Sequence, residues 1–202
     1  MRIVAGRHRG RTIAAPADTT VRPTTDRVRE NLFNILVHGR LSAGDAALLE
    51  GATVLDAFAG SGALGLEALS RGAADAVFLD NELTALECVR RNVTALGEVG
   101  RSVIVQADAT APPAPAKVRG HPGPRTLLFL DPPYRSGLAA AALAALAAAG
   151  WLAARALAVV ELAEGEPFAL PPGFALADER RYGRTRVVFL GWDEASAVPG
   201  RF

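Results

Sequence analysis

Residues 53–65 read TVLDAFAGSGALG, an apolar run that leads into a glycine-rich loop and then into a helical pattern. The run 53–58 predicts a buried strand, and 63–71 predicts a helix. Gly60, Gly62 and Gly65 form a G-x-G-x-x-G pattern between them. Glycines let the backbone approach a ligand closely, and the start of a helix presents free N–H groups. This segment therefore predicts a strand–loop–helix unit with a ligand-binding loop.

The same strand–helix rhythm continues along the chain. Strands are predicted at 76–80, 102–106, 126–131 and 156–162, and helices at 83–96 and 138–149. Alternating strands and helices indicate a parallel sheet that is covered on both faces. Segments 174–182 and 186–192 follow each other without a helix, which predicts an antiparallel hairpin joined at Gly183. The predicted fold is α/β, a Rossmann-like class I methyltransferase fold with a mostly parallel seven-stranded sheet and an antiparallel C-terminal hairpin.

The first forty residues differ from the rest in charge. They hold eight arginines against three acidic residues, a local charge of +5 in a chain whose net charge is +1. Runs 2–6 and 10–14 predict a small β-hairpin around Arg7, His8 and Arg9, and a helix is predicted after Thr25, its cap. Clustered basic charge favours a polyanionic partner. Residues 1–22 are thus predicted to be a basic hairpin extension that binds nucleic acid, and residues 23–202 the main domain.

Composition narrows the class of protein. Cys88 is the only cysteine, so no intrachain disulfide can form, and its helical setting predicts a buried, inert thiol. His8, His38 and His121 lack the spacing of metal ligands, so no metal is expected. The longest apolar run, 138–149, is too short to span a bilayer, and the N-terminus does not resemble a signal peptide. We expect a cytoplasmic monomer with no membrane partner.

Aspartates follow the predicted strands at the edge where open α/β sheets bind ligands. Asp80 lies twenty residues after Gly60, which matches the ribose partner of a dinucleotide fingerprint, so a dinucleotide-dependent oxidoreductase is one alternative. Asp56, just before the loop, would face a pyrophosphate badly. It suits the cationic methionine portion of S-adenosylmethionine, directly or through water, and Asp108 after the third strand is placed to accept from the adenine amino group.

A second motif, Asp131-Pro132-Pro133-Tyr134, follows the predicted strand 126–131. Its prolines stiffen the turn and offer no N–H groups. A carboxylate and free carbonyls then lie beside an aromatic face. Such a patch suits the exocyclic amino group of a flat base, because the acceptors bind its N–H groups while the ring stacks.

These motifs together resemble one family, the bacterial 16S ribosomal RNA guanine-N2 methyltransferases that modify guanine 966 of the small subunit. The resemblance covers most of the chain. Its landmarks are Arg7–Arg11, Arg22–Glu30, Phe33-Asn34, Asp56–Ala68 and Asp131–Tyr134, of which the Arg-Pro-Thr block at Arg22 discriminates most.

The resemblance implies a role for each matching position. The methyl donor, S-adenosylmethionine, would be held by Asp56, Phe58, Ala59, Gly60, Gly62, Asp80, Asn81, Asp108 and Ala109. Asp131 and the carbonyl of Pro132 would hold the guanine amino group, and Tyr134 would stack on the flipped base. RNA would be bound by Arg7, Arg9, Arg11, Arg22 and Arg27. The implied partner is 16S rRNA within a small subunit or an assembly intermediate.

Other functions stay open at this point. An adenine-N6 or other RNA or DNA amino-methyltransferase shares the glycine loop and the Asp-Pro-Pro-Tyr motif, and a non-catalytic RNA-binding or assembly protein could keep the fold. The chain also departs from the family in three places. Tyr134 is often Phe there, and the segments 42–51 and 111–124 look peculiar to this chain. Its prolines and glycines predict that 111–124 is an exposed loop.

Overall fold

The computed structural model describes residues 1–16, 26–38, 48–120 and 123–197. The predictions for Arg22, for the Thr25 cap and for most of the 42–51 segment concern residues outside these ranges. The helices are α1 (Asp26–His38), α2 (Ala63–Ser70), α3 (Leu83–Leu96), α4 (Leu138–Ala148) and α5 (Glu194–Ala197). The strands are β1 (Thr53–Ala57), β2 (Asp75–Asp80), β3 (Ser102–Gln106), β4 (Arg125–Leu130), β5 (Leu152–Ala163), β6 (Phe174–Tyr182) and β7 (Thr185–Trp192).

The strands form one seven-stranded sheet in the order β3-β2-β1-β4-β5-β7-β6. The first five strands along the chain run parallel, and β7 pairs antiparallel with both β5 and β6. The strand order reverses between β1 and β4, where ligands bind in open α/β sheets. The predicted architecture, including the C-terminal hairpin, is confirmed.

Each face of the sheet is covered by its own core. One core joins α1, α2, α3 and the first residues of the chain to the sheet, and Phe33 of α1 meets Phe129 of β4 with ring centroids 5.5 Å apart. The other core joins α4 and the buried Trp151 to the opposite face. Cys88 is buried within α3, as predicted. None of the helices in the described ranges is long and apolar enough to cross a bilayer.

Residues 1–14 form the N-terminal hairpin, closed by an antiparallel bridge between Arg2 and Thr12. Ile3 and Ile13 are buried in the same core as α1 and α2, so the hairpin packs onto the sheet domain. At its tip the N–H of Arg7 donates to the carbonyl of Ser70, the last residue of α2. The division into two domains at residue 22 stays a prediction.

Glu67 on α2 connects the hairpin to two helices. Its carboxylate is fully buried and accepts the N–H groups of Val4 and Ala5 at 2.8 and 3.0 Å. It also lies 2.7 Å from Arg71 Nε and 3.8 Å from Arg29 Nε of α1. The buried Glu67 carboxylate thus pairs with Arg71 and lies near Arg29, which is paired more closely with Asp26 at 2.8 Å.

Loop 111–124 is less exposed than its composition predicts. Pro115 is buried at the start of a short 3₁₀ turn, Pro115–Lys117. The indole N–H of Trp151 donates to the carbonyl of Pro113 at 2.9 Å. The prediction of an exposed loop was therefore wrong for this central part, because Pro115 is buried and the Pro113 carbonyl accepts a buried indole N–H.

Candidate active site

The ends of β1 to β4 lie side by side at one edge of the sheet, here called the carboxyl edge. Ala57 is in register with Leu79 of β2 and with Leu130 of β4, and Asp80 is in register with Gln106 of β3. The residues that follow these strands therefore share one edge, with neighbouring strands about 5 Å apart. The predicted site residues after β1, β2, β3 and β4 are brought together in this way.

The glycine loop, residues 58–62, has a backbone held in unusual conformations. Phe58 has a φ of 63°, and Gly60 and Gly62 have φ values of 55° and 77°. Left-handed backbone is costly for a residue with a Cβ atom, and such residues cluster at functional sites. The N–H of Ala59 donates to the carbonyl of Leu79, and Gly62 precedes α2 directly. The loop is thus fixed against β2 at the start of a helix.

Asp80 supports this loop with one oxygen and its own turn with the other. Its Oδ2 accepts the N–H of Gly60 at 2.9 Å, and its Oδ1 accepts the N–H of Glu82 at 2.9 Å. The side chain stays beside the loop and retains further acceptor capacity, since an ionised carboxylate offers about four lone-pair sites. The next residue, Asn81, is exposed at the same edge. This placement suits a pair of ligand hydroxyls.

Asp56 is placed differently from its neighbours. Asp56 is buried, with only 1% of its surface exposed, and its Oδ2 accepts the N–H of Gly65 at 2.9 Å. Burial raises the pKa of this carboxyl to about 8, against the lowering effect of the Gly65 hydrogen bond. Asp56 therefore holds the first turn of α2 under the glycine loop, a role that the sequence did not predict. Its contact with a cationic ligand stays a prediction.

Replacing Asp56 by asparagine separates this hydrogen bond from the charge. Because the folded pKa is raised above its ordinary value of 3.8 to about 8, Asp56 favours folding at low pH, and this contribution is lost as pH rises toward 8. We expect Asp56→Asn to be at least as stable as the parent at pH 8, and its advantage to shrink at pH 5. Asp56→Ala, which loses the acceptor, should be less stable at both. Urea unfolding at the two pH values measures this, and an Asn variant that loses more stability at pH 8 than at pH 5 would contradict it.

Asp108 and Ala109 follow β3 at the far side of the loop. Asp108 is exposed, and its Oδ1 accepts both the N–H and the hydroxyl of Thr110 at 2.7 Å. Both hydrogen bonds lower the pKa of Asp108, and the one from the Thr110 N–H has the larger effect. Asp108 is therefore a carboxylate at neutral pH. Ala109 is buried beneath it. An acceptor is therefore available where the sequence analysis expected the adenine amino group.

The Asp-Pro-Pro-Tyr turn follows β4, one strand from the glycine loop. Asp131 is half-buried, Pro132 is buried, and Tyr134 is 43% exposed. The Tyr134 hydroxyl donates to Glu161 Oε1 at 2.8 Å and lies 3.1 Å from Thr185 Oγ1. Burial, with the neighbouring Glu161 carboxylate, raises the pKa of Tyr134 well above its usual value, so the hydroxyl stays protonated. The ring is thus fixed by its hydroxyl while part of it stays open to solvent.

The predicted RNA-binding arginines lie in two places. Arg7, Arg9 and Arg11 are exposed on the N-terminal hairpin. The tip of that hairpin contacts the end of α2, about 12 Å along the helix from the glycine loop, since eight residues rise about 1.5 Å each. Arg27, in contrast, is exposed on α1. The hairpin arginines are therefore not part of the carboxyl edge.

The chain is similar to known proteins over most of its length. The model of the family described as Conserved hypothetical protein 95 matches residues 1–191. This protein belongs to that family. The Escherichia coli K12 protein named Ribosomal RNA small subunit methyltransferase D is 38% identical over 91% of this chain and 86% of its own length. The Haemophilus influenzae protein of the same name is 34% identical over 91% of this chain and 89% of its own.

A solved structure agrees with the sheet described above. The structure of yhhF from Escherichia coli, named as a methyltransferase, superposes with a TM-score of 0.76 at 36% identity and covers 96% of this chain and 98% of its own. The fold is therefore the class I methyltransferase fold. The resemblance to small-subunit rRNA methyltransferases that the motifs indicate is confirmed.

Three residues of this family member's carboxyl edge were not singled out from its sequence. Glu161 and Thr185 bind the Tyr134 hydroxyl from β5 and β7, and Tyr182 pairs with Thr185 across the β6–β7 turn. Of these three residues, only Glu161 could have been recognised from the sequence, because it is a single carboxylate in the apolar run 156–163. A buried charge in an apolar strand is rarely without a partner.

Proposed function

We propose that this protein transfers a methyl group from S-adenosylmethionine to the exocyclic N2 of a guanine in 16S rRNA, position 966 by the family resemblance. The observation that carries the proposal is the position of the Asp-Pro-Pro-Tyr turn, one strand from the glycine loop at the point where the strand order reverses. Relatives named as small-subunit rRNA methyltransferases support the reaction class and the methyl donor. The proposed partner is a small subunit or an assembly intermediate, on which the protein acts as a monomer.

The glycine loop and the two aspartates beside it form the proposed donor site. S-adenosylmethionine supplies an electrophilic methyl group on a sulfonium centre. Backbone groups of Phe58 to Gly62 would hold its methionine portion, Asp80 with Asn81 its ribose hydroxyls, and Asp108 with Ala109 its adenine. The structure supports this assignment through the loop's fixed conformation and through the carboxylate character of Asp108. Acceptors at both ends of the site suit a ligand that carries hydroxyl and amino groups.

The Asp-Pro-Pro-Tyr turn would hold the target base. The guanine amino nitrogen is a poor nucleophile because its lone pair is delocalised into the ring. Acceptors at Asp131 and at the Pro132 carbonyl would bind its N–H groups and direct the lone pair at the methyl carbon, an effect of positioning and electrostatics. The nitrogen would form a bond to the methyl carbon as the carbon–sulfur bond breaks and S-adenosylhomocysteine leaves, and the nitrogen would then release one proton to Asp131 or to water. Asp131 offsets the positive charge that develops on nitrogen.

Tyr134 provides the face on which the base stacks. A base can reach this site only outside its helical stack, and an aromatic platform compensates part of the stacking that it loses. The hydrogen bond to Glu161 fixes the ring before any base arrives. This pre-organisation is the structural reason to expect that tyrosine replaces the family's phenylalanine here without loss of function.

A direct test uses unmodified small subunits, free 16S rRNA and large subunits, each incubated with the protein and donor labelled in its methyl group. Label in the 16S rRNA of small subunits, and not in large subunits, is the expected result. Label in none of the three, with donor binding shown by calorimetry, would contradict the proposed activity. Label in free RNA alone would replace the assembled subunit by naked RNA as the substrate.

The hairpin arginines provide a prediction about RNA affinity. Replacing Arg7 and Arg9 together by alanine should weaken RNA binding and reduce the slope of log affinity against log salt by about one to two, because each phosphate contact releases counterions. Donor affinity should not change, since the tip lies away from the glycine loop. Lys117 plus Arg119→Ala is the matched control, because it removes two exposed charges from the α4 side of the sheet. Equal salt slopes for the two double variants would refute the hairpin's role.

A further inference from the structure

A cavity of about 470 Å³ lies between α1 and the β6–β7 turn. It is lined by Arg27, Val28, Asn31, Tyr182 and Gly183. Its size falls in the range of small-molecule binding sites. None of these residues belongs to the Asp-Pro-Pro-Tyr turn or to the glycine loop, so the cavity is separate from the proposed donor and target-base positions.

The position of the cavity ties it to the carboxyl edge. Tyr182 pairs with Thr185 across the turn, so their side chains lie on the same face of the sheet. Thr185 Oγ1 in turn lies 3.1 Å from the Tyr134 hydroxyl. Thr185 is also in register with Ala163, the last residue of β5, three residues beyond the end of β4. The turn therefore extends about 10 Å past the end of β4, where it meets the Tyr134 hydroxyl.

The walls of the cavity combine three kinds of recognition group. Tyr182 is a half-buried aromatic side chain, and burial raises the pKa of its hydroxyl. Arg27 is an exposed cation with no ion-pair partner in the part of the chain that the structure describes. Asn31 carries an amide with one acceptor and two donors. Arg184, exposed on the same turn, places a second cation nearby.

An enzyme that takes its target base out of the stack also has to accommodate the neighbouring base. When the target leaves its stack, its neighbour in the strand loses a stacking partner as well, and an aromatic side chain can replace it. A cation beside the ring binds the phosphate that joins the two nucleotides. The contacts agree with this, since Thr185 links the cavity residue Tyr182 to the Tyr134 hydroxyl.

Resting on the proposed function, we propose that this cavity holds the nucleotide next to the target guanine, with Tyr182 stacking on its base, Asn31 contacting the base edge and Arg27 binding its phosphate. Tyr182 and Tyr134 then form two adjacent platforms, joined through Thr185. The site adds sequence preference beyond the target base itself, because the Asn31 amide faces one base edge.

The test is a double-mutant cycle, in which substitutions at Tyr182 are combined with removal of single bases from the RNA and the binding affinity is measured. Short RNAs carry the target guanine and, in separate versions, an abasic nucleotide on its 5′ side, on its 3′ side or at the target itself. We expect one abasic neighbour to lower the parent's affinity about 5- to 150-fold. Tyr182→Leu should lower affinity for intact RNA similarly and should show no further loss with that abasic RNA. Tyr182→Phe should behave like the parent, and donor affinity should be the same in all three proteins.

The outcomes separate this proposal from the proposed function. Additive losses for Tyr182→Leu with both abasic neighbours would overturn it. Coupling of Tyr182 to the target position would also overturn it, because the cavity would then hold the target base. Affinity is read without methyl transfer, so a parent that binds with the expected coupling but transfers no methyl group supports the subsite and contradicts the proposed activity. Asn31→Ala gives a second readout, a reduced preference among the four bases at the coupled neighbour.

Discussion

We expect Asp131→Ala to lower the rate of methyl transfer by a factor of about one hundred or more, while donor affinity stays close to that of the parent. The reason is the position of Asp131 directly after β4, one strand from the glycine loop. Removing the carboxylate removes both an acceptor for the amino group and the charge that offsets the developing positive nitrogen. Loss of a single such electrostatic group typically lowers the rate of the chemical step by about two to three orders of magnitude.

Single-turnover transfer with saturating donor and RNA measures this effect without interference from product release. Asp131→Asn is the matched variant, because it keeps an acceptor oxygen and the side-chain volume but not the charge. We expect it to fall between the parent and the alanine variant. Near-normal transfer by Asp131→Ala would remove Asp131 from the proposed chemistry. A large fall in donor affinity would instead assign it to the donor site.

The second large effect concerns stability. We expect Glu67→Ala to lower the free energy of unfolding by about 3–5 kcal/mol, the usual loss when one partner of a buried ion pair is removed. The loss removes the carboxylate partner of Arg71, leaves Arg29 with Asp26 alone, and leaves the N–H groups of Val4 and Ala5 without an acceptor. The N-terminal hairpin should then separate from α2 more readily than the sheet unfolds.

Urea unfolding compared with two controls measures this effect. Glu67→Gln keeps one carbonyl acceptor and should lose less stability than the alanine variant. Glu164→Ala breaks the exposed pair with Arg181, whose atoms lie 3.5 Å apart, and should cost less than about 1 kcal/mol because solvent screens surface pairs. Similar losses for Glu67→Ala and Glu164→Ala would mean that the buried carboxylate does not connect the hairpin to the helices.

Much of the fold follows from local pattern. The apolar runs between glycines and aspartates define β1 to β4 because buried parallel strands have to be apolar on both faces. Only their ends differ from the prediction, since β2 and β4 start one residue earlier, at Asp75 and Arg125, and β1 and β4 end one residue earlier, at Ala57 and Leu130. The C-terminal hairpin is equally local, because no helix separates β6 from β7 and Gly183 lies at their junction. For these elements, the sequence spacing carries the necessary information.

The site depends on contacts that spacing does not encode. The glycine loop and four aspartates could be assigned to one edge, since parallel strands bring their carboxyl ends together. Whether a side chain points at a ligand or supports the backbone depends on packing, which is why Asp56 turned out to hold Gly65. The Tyr134 hydroxyl meets residues 27 and 51 positions away. No local pattern relates such distant positions, and the same is true of Arg27 and Tyr182 across the cavity.

The proposed reaction itself is tested most directly by the identity of the methylated nucleoside. Small subunits that lack the modification are incubated with the protein and labelled S-adenosylmethionine, and nuclease digests of their 16S rRNA are analysed by mass spectrometry. We predict labelled N2-methylguanosine in the fragment that contains guanine 966. Label in N6-methyladenosine, or in a guanine elsewhere in the rRNA, would contradict the proposed substrate.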